Sequence, residues 1–106
     1  MKEATVSISP NIVKDIARLT TLATPGVTGL VETHGVLGRT QFRGVEVTMD
    51  GAQRASVHLR VSAAADQSLH ALGRTIKQAV AEAVDEMTGI HVTTVDVTFE
   101  DVRSLS

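Results

Sequence analysis

A chain of 106 residues can bury one hydrophobic core and is too short for two, so residues 1–106 are read as a single domain without an interdomain cleft. Hydrophobic residues make up 42% and charged residues 21%, an ordinary globular mixture that excludes wholesale disorder and low-complexity architecture. Ten Lys and Arg against twelve Asp and Glu leave a formal charge of −2, no global field for nucleic acid, and the lack of cysteine excludes disulfides and thiolate chemistry.

Residues 4–8 alternate Val6 and Ile8 with Thr5 and Ser7, the period of a half-buried strand. Ser9-Pro10 then opens a helix over 10–23, because a serine hydroxyl caps free N–H groups and proline suits the first helical position. Its spacing puts Ile12, Ile16, Leu19 and Ala23 on an inward stripe with Val13 and Ala17 beside it, and turns Lys14, Asp15 and Arg18 outward. Thr24-Pro25-Gly26 ends the helix, a short strand over 27–32 follows, and residues 33–43, with Gly35 and Gly38, lack periodicity and read as a mobile loop.

Alternation returns with Val45, Val47 and Met49, turns at Asp50-Gly51, and is answered by Val57, Leu59 and Val61, with a turn that can extend to Arg54. Residues 66–88 carry the longest helical pattern, with Leu69, Leu72, Ile76, Val80, Ala83, Val84 and Met87 spaced by threes and fours. Asp66 is the expected N-cap and Gly89 the left-handed terminator. In the last strand, over 90–102, Ile90 and Val92 are even-numbered while Val95, Val97 and Phe99 are odd. One strand cannot bury both sets on one face, so an irregularity is expected at Thr93-Thr94. The order β-α-β-β-β-α-β predicts an α+β fold: one mixed, mostly antiparallel sheet with two helices packed on one face and the other face in solvent.

Chemistry-bearing patterns are sparse. His34, His58, His70 and His91 lie at no metal-binding spacing, and no nucleophile elbow is present. Ser56, His58 and Asp96 could meet only on an open sheet face, where water weakens acid–base catalysis. Neither enzymatic activity nor a cofactor, metal or small-molecule substrate is expected. No apolar run reaches the ~20 residues of a spanning helix, and Met1-Lys2-Glu3 leads into no signal-peptide core, so direct membrane insertion is not expected either.

Two surfaces are candidates for binding. The sheet's polar face carries Glu46, His58, Arg60, Asp96 and Glu100. The end of the long helix carries Glu82, Asp85 and Glu86, of which Glu82 and Glu86 are like charges four apart and the last two sit at the negative end of the macrodipole. The polar face reads either as a solvated face with cross-strand charge pairs or as a surface that docks another protein, and the helix end, where local rules are broken without evident compensation, is a second partner-binding candidate. Residues 1–62 carry seven bases and five acids, a net of +2, and residues 63–106 three bases and seven acids, a net of −4; this favours head-to-tail contact between copies. The alternative is a KH-like nucleic-acid clamp at Gly35 and Gly38 with Arg39 and Arg43, although in a KH module that loop joins two helices and here strand-like sequence flanks it.

Three stretches taken together are distinctive: residues 24–30 (TPGVTGL), the hairpin opening at 44–47 (GVEV), and residues 80–102 (VAEAVDEMTGIHVTTVDVTFEDV). Over nearly the whole chain they resemble the alkaline-shock, Gls-type envelope stress response family of bacteria. Glu86-Met87-Thr88-Gly89, leading into the valine-rich strand, is the most specific part. The resemblance implies a cytoplasmic, non-enzymatic, self-associating protein held near the membrane by a membrane-anchored partner; it carries over no catalytic residue. Between Val61 and Leu69 the chain departs from the family pattern: SAAADQS stands where an aromatic residue and an Ile-Pro helix entry are usual.

Overall fold

Ser9 and Pro10 start the first element as their chemistry requires. Ser9 Oγ accepts from Asn11 N at 3.2 Å, and helix α1 runs Pro10–Ala23. In a computed structural model that describes residues 6–31, 33–34, 40–41 and 44–103, α1 is followed by strands β1 (Val27–Leu30), β2 (Thr33–His34), β3 (Thr40–Gln41), β4 (Val45–Met49) and β5 (Arg54–Ala64), then helix α2 (Leu69–Thr88) and strand β6 (His91–Arg103). From α1 onward the expected order holds, with one addition: β2 and β3 pair with each other inside the stretch expected to be a loop. Two residues a side are too few for periodicity to reveal. The first expected strand falls partly outside the described residues, and Val6–Ile8 pair with nothing described.

β5 is the spine of the sheet. β4 runs antiparallel along its first half, with Val45 opposite Leu59 and Met49 opposite Ala55, while β1 runs antiparallel along its second half, with Leu30 opposite Val61. β6 runs parallel to β5 over its full length. A strand has only two edges, so β1 and β4 share one of them end to end and β6 has the other to itself. Where β1 and β4 meet, Val31 N donates to Arg60 O at 3.1 Å and Arg60 N donates to Gly44 O at 2.8 Å. Gly44 permits the junction: a Cβ there would lie 2.9 Å from Leu30 Cβ and from Val31 N.

The phase jump in the last strand is real. Ala55 pairs with Val92 and Ser56 with Thr94, leaving Thr93 as the extra residue, its hydroxyl donating to Ala55 O at 3.2 Å. A second irregularity, between Phe99 and Asp101, leaves Glu100 extra. The first of these keeps Val92 on the same side as Val95, Val97 and Phe99, the side that packs against the core.

Both helices cover the face formed by Val57, Leu59 and Val61, and together with Val13, Ile16, Ile76, Val80 and Val84 these side chains build the core. α1 lies against β1 and β4, and α2 against β6. The inward arc of α1 differs from the expected stripe: Val13, Ile16, Ala17 and Thr21 are buried, whereas Ile12 and Leu19 are 45% and 58% exposed. Thr21 makes this rotation possible, because its hydroxyl donates to Ala17 O at 2.7 Å and the side chain then buries no unpaired donor. Met87, expected inward, is 71% exposed at the end of α2.

Entry to α2 also differs from expectation. Ser68, not Asp66, caps the helix, its Oγ accepting from Ala71 N at 3.2 Å, while Asp66 takes a left-handed φ of 59° in the preceding turn. That turn is fastened from both sides. Gln67 Nε2 donates to Ala64 O at 2.8 Å and to Gly26 O at 3.0 Å, so Gln67 ties the start of α2 to the turn after α1. Gly89 ends α2 with φ 73°, as its position demands. Replacing Ser68 by Ala should lower unfolding free energy by about 0.5–2 kcal/mol in urea titrations, by leaving first-turn donors unsatisfied.

Candidate protein-docking interface

Even-numbered positions of β5 and β4 face away from the helices, and no described element covers them. Period 2 therefore brings Glu46, His58 and Arg60 to one polar face, and the parallel β6 adds Asp96 and Glu100. Arg60 lies between two acids, with guanidinium nitrogens 3.9 Å from Glu46 Oε1 and 3.7 Å from Glu100 Oε1. These distances are beyond hydrogen bonding and the groups are well solvated, so the row contributes little stability. It is a charge pattern displayed to solvent.

His58 stands across from Glu46 on one side and Asp96 on the other, yet its Nε2 engages Thr98 Oγ1 at 2.9 Å. Ser56, two residues along the same strand, shares this open face. The pairing that could assemble Ser56, His58 and Asp96 is thus present, and the side chains remain on a solvent-facing sheet. Among the described residues no group of three His, Asp or Glu side chains comes together as a metal site, and no helix is long and apolar enough to cross a membrane.

Glu82, Asp85 and Glu86 are exposed on α2, on the helical layer and so on the opposite side of the molecule from the sheet's polar face. Glu82 Oε1 accepts from Gln78 Nε2 at 3.1 Å. The eight partner-binding candidates therefore form two separate groups. Gly35, Gly38, Arg39 and Arg43, the nucleic-acid alternative, lie outside the described residues; the strands on either side of the two glycines, β2 and β3, pair antiparallel, with Thr33 opposite Gln41.

Division of charge by chain half does not describe the surface. The second half includes Arg74 and Lys77, exposed on α2 beside His70, so one helix carries a basic row toward its start and an acidic group toward its end. Sequence reasoning turns His70 outward without joining it to Arg74 and Lys77, although spacing by four and three is signal enough.

A family model for the alkaline-shock proteins, described as having a cell envelope-related function, matches residues 1–104. Comparison with curated proteins finds no match. Among solved structures, MamM-CTD 215-293 is 15% identical with a TM-score of 0.55, covering 86% of this chain and 96% of that one. A copper form of a MamM CTD variant is 17% identical with a TM-score of 0.56, covering 88% and 96%. Likeness at these identities is one of fold.

Proposed function

The chain belongs to the alkaline-shock protein family, whose function is related to the cell envelope, and we propose that it serves that function as a non-enzymatic scaffold. It associates with copies of itself and with a membrane-anchored protein on the cytoplasmic side, and it carries out no reaction. The uncovered polar face of the sheet, with Arg60 held between Glu46 and Glu100, is the observation that carries this reading. Such a row adds little to folding, and its alternating sign suits electrostatic selection of a partner. Its openness also argues against catalysis, because developing charge would be stabilised mainly by bulk water.

Replacing Arg60 by Ala separates the two roles. The melting temperature should barely move, since exposed pairs contribute about 0–1 kcal/mol. Self-association, read by light scattering or size-exclusion at rising concentration, should weaken by about tenfold because the acids at Glu46 and Glu100 lose the cation between them. A large stability loss with unchanged association would contradict the proposal.

A further inference from the structure

β6 pairs with β5 along one edge, and among the described residues nothing pairs with its other edge. It is 13 residues long and contains no proline. A row of unpaired N–H and C=O groups of this length is a template for another strand, which is why proteins usually shorten, bend or cover such edges. Here the irregularities at Thr93 and Glu100 bracket a regular stretch over 94–99, about the length of an ordinary strand.

Beside that stretch a cleft of about 320 Å³ lies between α2 and β6. Val97 and Phe99 line it from the sheet, and Gly73 from the helix, where an ideal Cβ would already approach the Phe99 ring to 3.6 Å. The helix side of the cleft is basic: His70, Arg74 and Lys77 are all exposed, and none forms an ion pair among the described residues. Helix stability does not account for the row. Bases toward the start of α2 and acids toward its end run against the macrodipole, and the helix has no acid in its first turn and no base in its last.

We propose that the outer edge of β6 and the adjoining α2 cleft take an extended acidic segment of a partner protein, which joins the sheet as an added strand. Backbone hydrogen bonds to β6 hold the segment, and alternate side chains set the specificity. Those on the helix side meet Arg74, Lys77 and His70 and are acidic; those on the opposite side lie beside Asp96 and Glu100 and are neutral or basic. A second copy of this chain is the competing occupant: an antiparallel edge-to-edge pair about a two-fold axis would set the start of α2, with its bases, toward the acidic end of its twin, an outcome that the test below separates. The surface adjoins the polar sheet face at Asp96 and Glu100, but its anchoring contacts, the β6 edge and the basic side of the α2 cleft, are not shared with Glu46 and Arg60.

Panning a random peptide library of about ten residues against the full protein tests it, followed by fluorescence anisotropy with a selected peptide. Selected peptides should carry Asp or Glu at alternate positions, and adding one should slow amide hydrogen exchange across residues 94–99. The double variant Arg74→Glu/Lys77→Glu should bind about tenfold or more weakly without a change in melting temperature, and Arg60→Ala should bind as the wild type does. Peptides without the acidic alternation, or affinity indifferent to the charge reversal, would overturn the proposal. So would tighter binding of an oligoribonucleotide at the same residues, or loss of self-association in the double variant, which would give the cleft to a nucleic acid or to a second copy. Wild-type sedimentation bears on self-association alone and keeps the two readings separable.

Discussion

Replacing Ile76 by Ala should lower the unfolding free energy by about 2–5 kcal/mol, the range for emptying a filled core site. Ile76 is 0% exposed on α2, within the same cluster as Val13, Leu59 and Val80, and both helices and the sheet contribute to its surroundings. Since a domain of this size has a total stability of about 5–15 kcal/mol, the loss is a large fraction of the whole. Thermal unfolding followed by circular dichroism should show a midpoint lower by roughly 10–25 °C. Met87→Ala on the same helix is the control: at 71% exposure it should stay within about 0.5 kcal/mol of wild type. Equal midpoints for the two variants would mean that α2 is rotated from the orientation described.

Replacing Gly44 by Val should be comparably damaging, for a different reason. Gly44 is buried where β1 ends and β4 begins, and a Cβ would meet Leu30 Cβ and the Val31 backbone N at 2.9 Å and Val31 O at 3.0 Å. Backbone cannot swing aside as a flexible side chain can, so the two strand ends must separate. The hydrogen bonds from Val31 N to Arg60 O and from Arg60 N to Gly44 O sit at that junction and would lengthen. A cost of about 1–3 kcal/mol or more is expected, with loss of hydrogen-exchange protection centred on Val31 and Arg60. Gly29→Ala provides the contrast, because nothing lies within 4 Å of its ideal Cβ. Equal stability of the two variants would show that the strands do not meet end to end.

Much of this architecture is legible in the residues because local chemistry and global packing agree. Ser9-Pro10 marks the start of α1, Gly89 terminates α2, and the shift of valines from even to odd positions requires the extra residue at Thr93. The second irregularity, at Glu100, leaves no such trace, since Asp101 and Val102 beyond it are exposed and show no buried phase. The rotation of α1 is hidden for a related reason. Thr21 looks polar in sequence, and only the hydrogen bond back to Ala17 makes it as acceptable in the core as Ile12 or Leu19 would be. Ser68 and Asp66 are both competent caps; the turn secured by Gln67 decides between them. The sharing of one β5 edge by β1 and β4 depends on contacts around a buried glycine, which no periodicity reports.

The candidate surface divides along the same line. Glu46, His58, Arg60, Asp96 and Glu100 fall on one face because strand period alone puts them there, once β6 is placed beside β5. The separate position of Glu82, Asp85 and Glu86 follows from two-layer packing. The basic row beside the β6 edge required both the sheet order and the cleft to become visible, since Arg74 and Lys77 alone look like ordinary solvated helix charges.

Sedimentation velocity of the wild-type protein across a concentration series, from about 1 to 300 μM, tests most directly whether the molecule works by associating, because the span covers the affinities typical of weak and moderate complexes. The expected result is a weight-average mass that rises with concentration from the 11.2 kDa of one chain, with the rise displaced to higher concentration in Arg60→Ala. A mass fixed at one chain throughout the series would contradict the account.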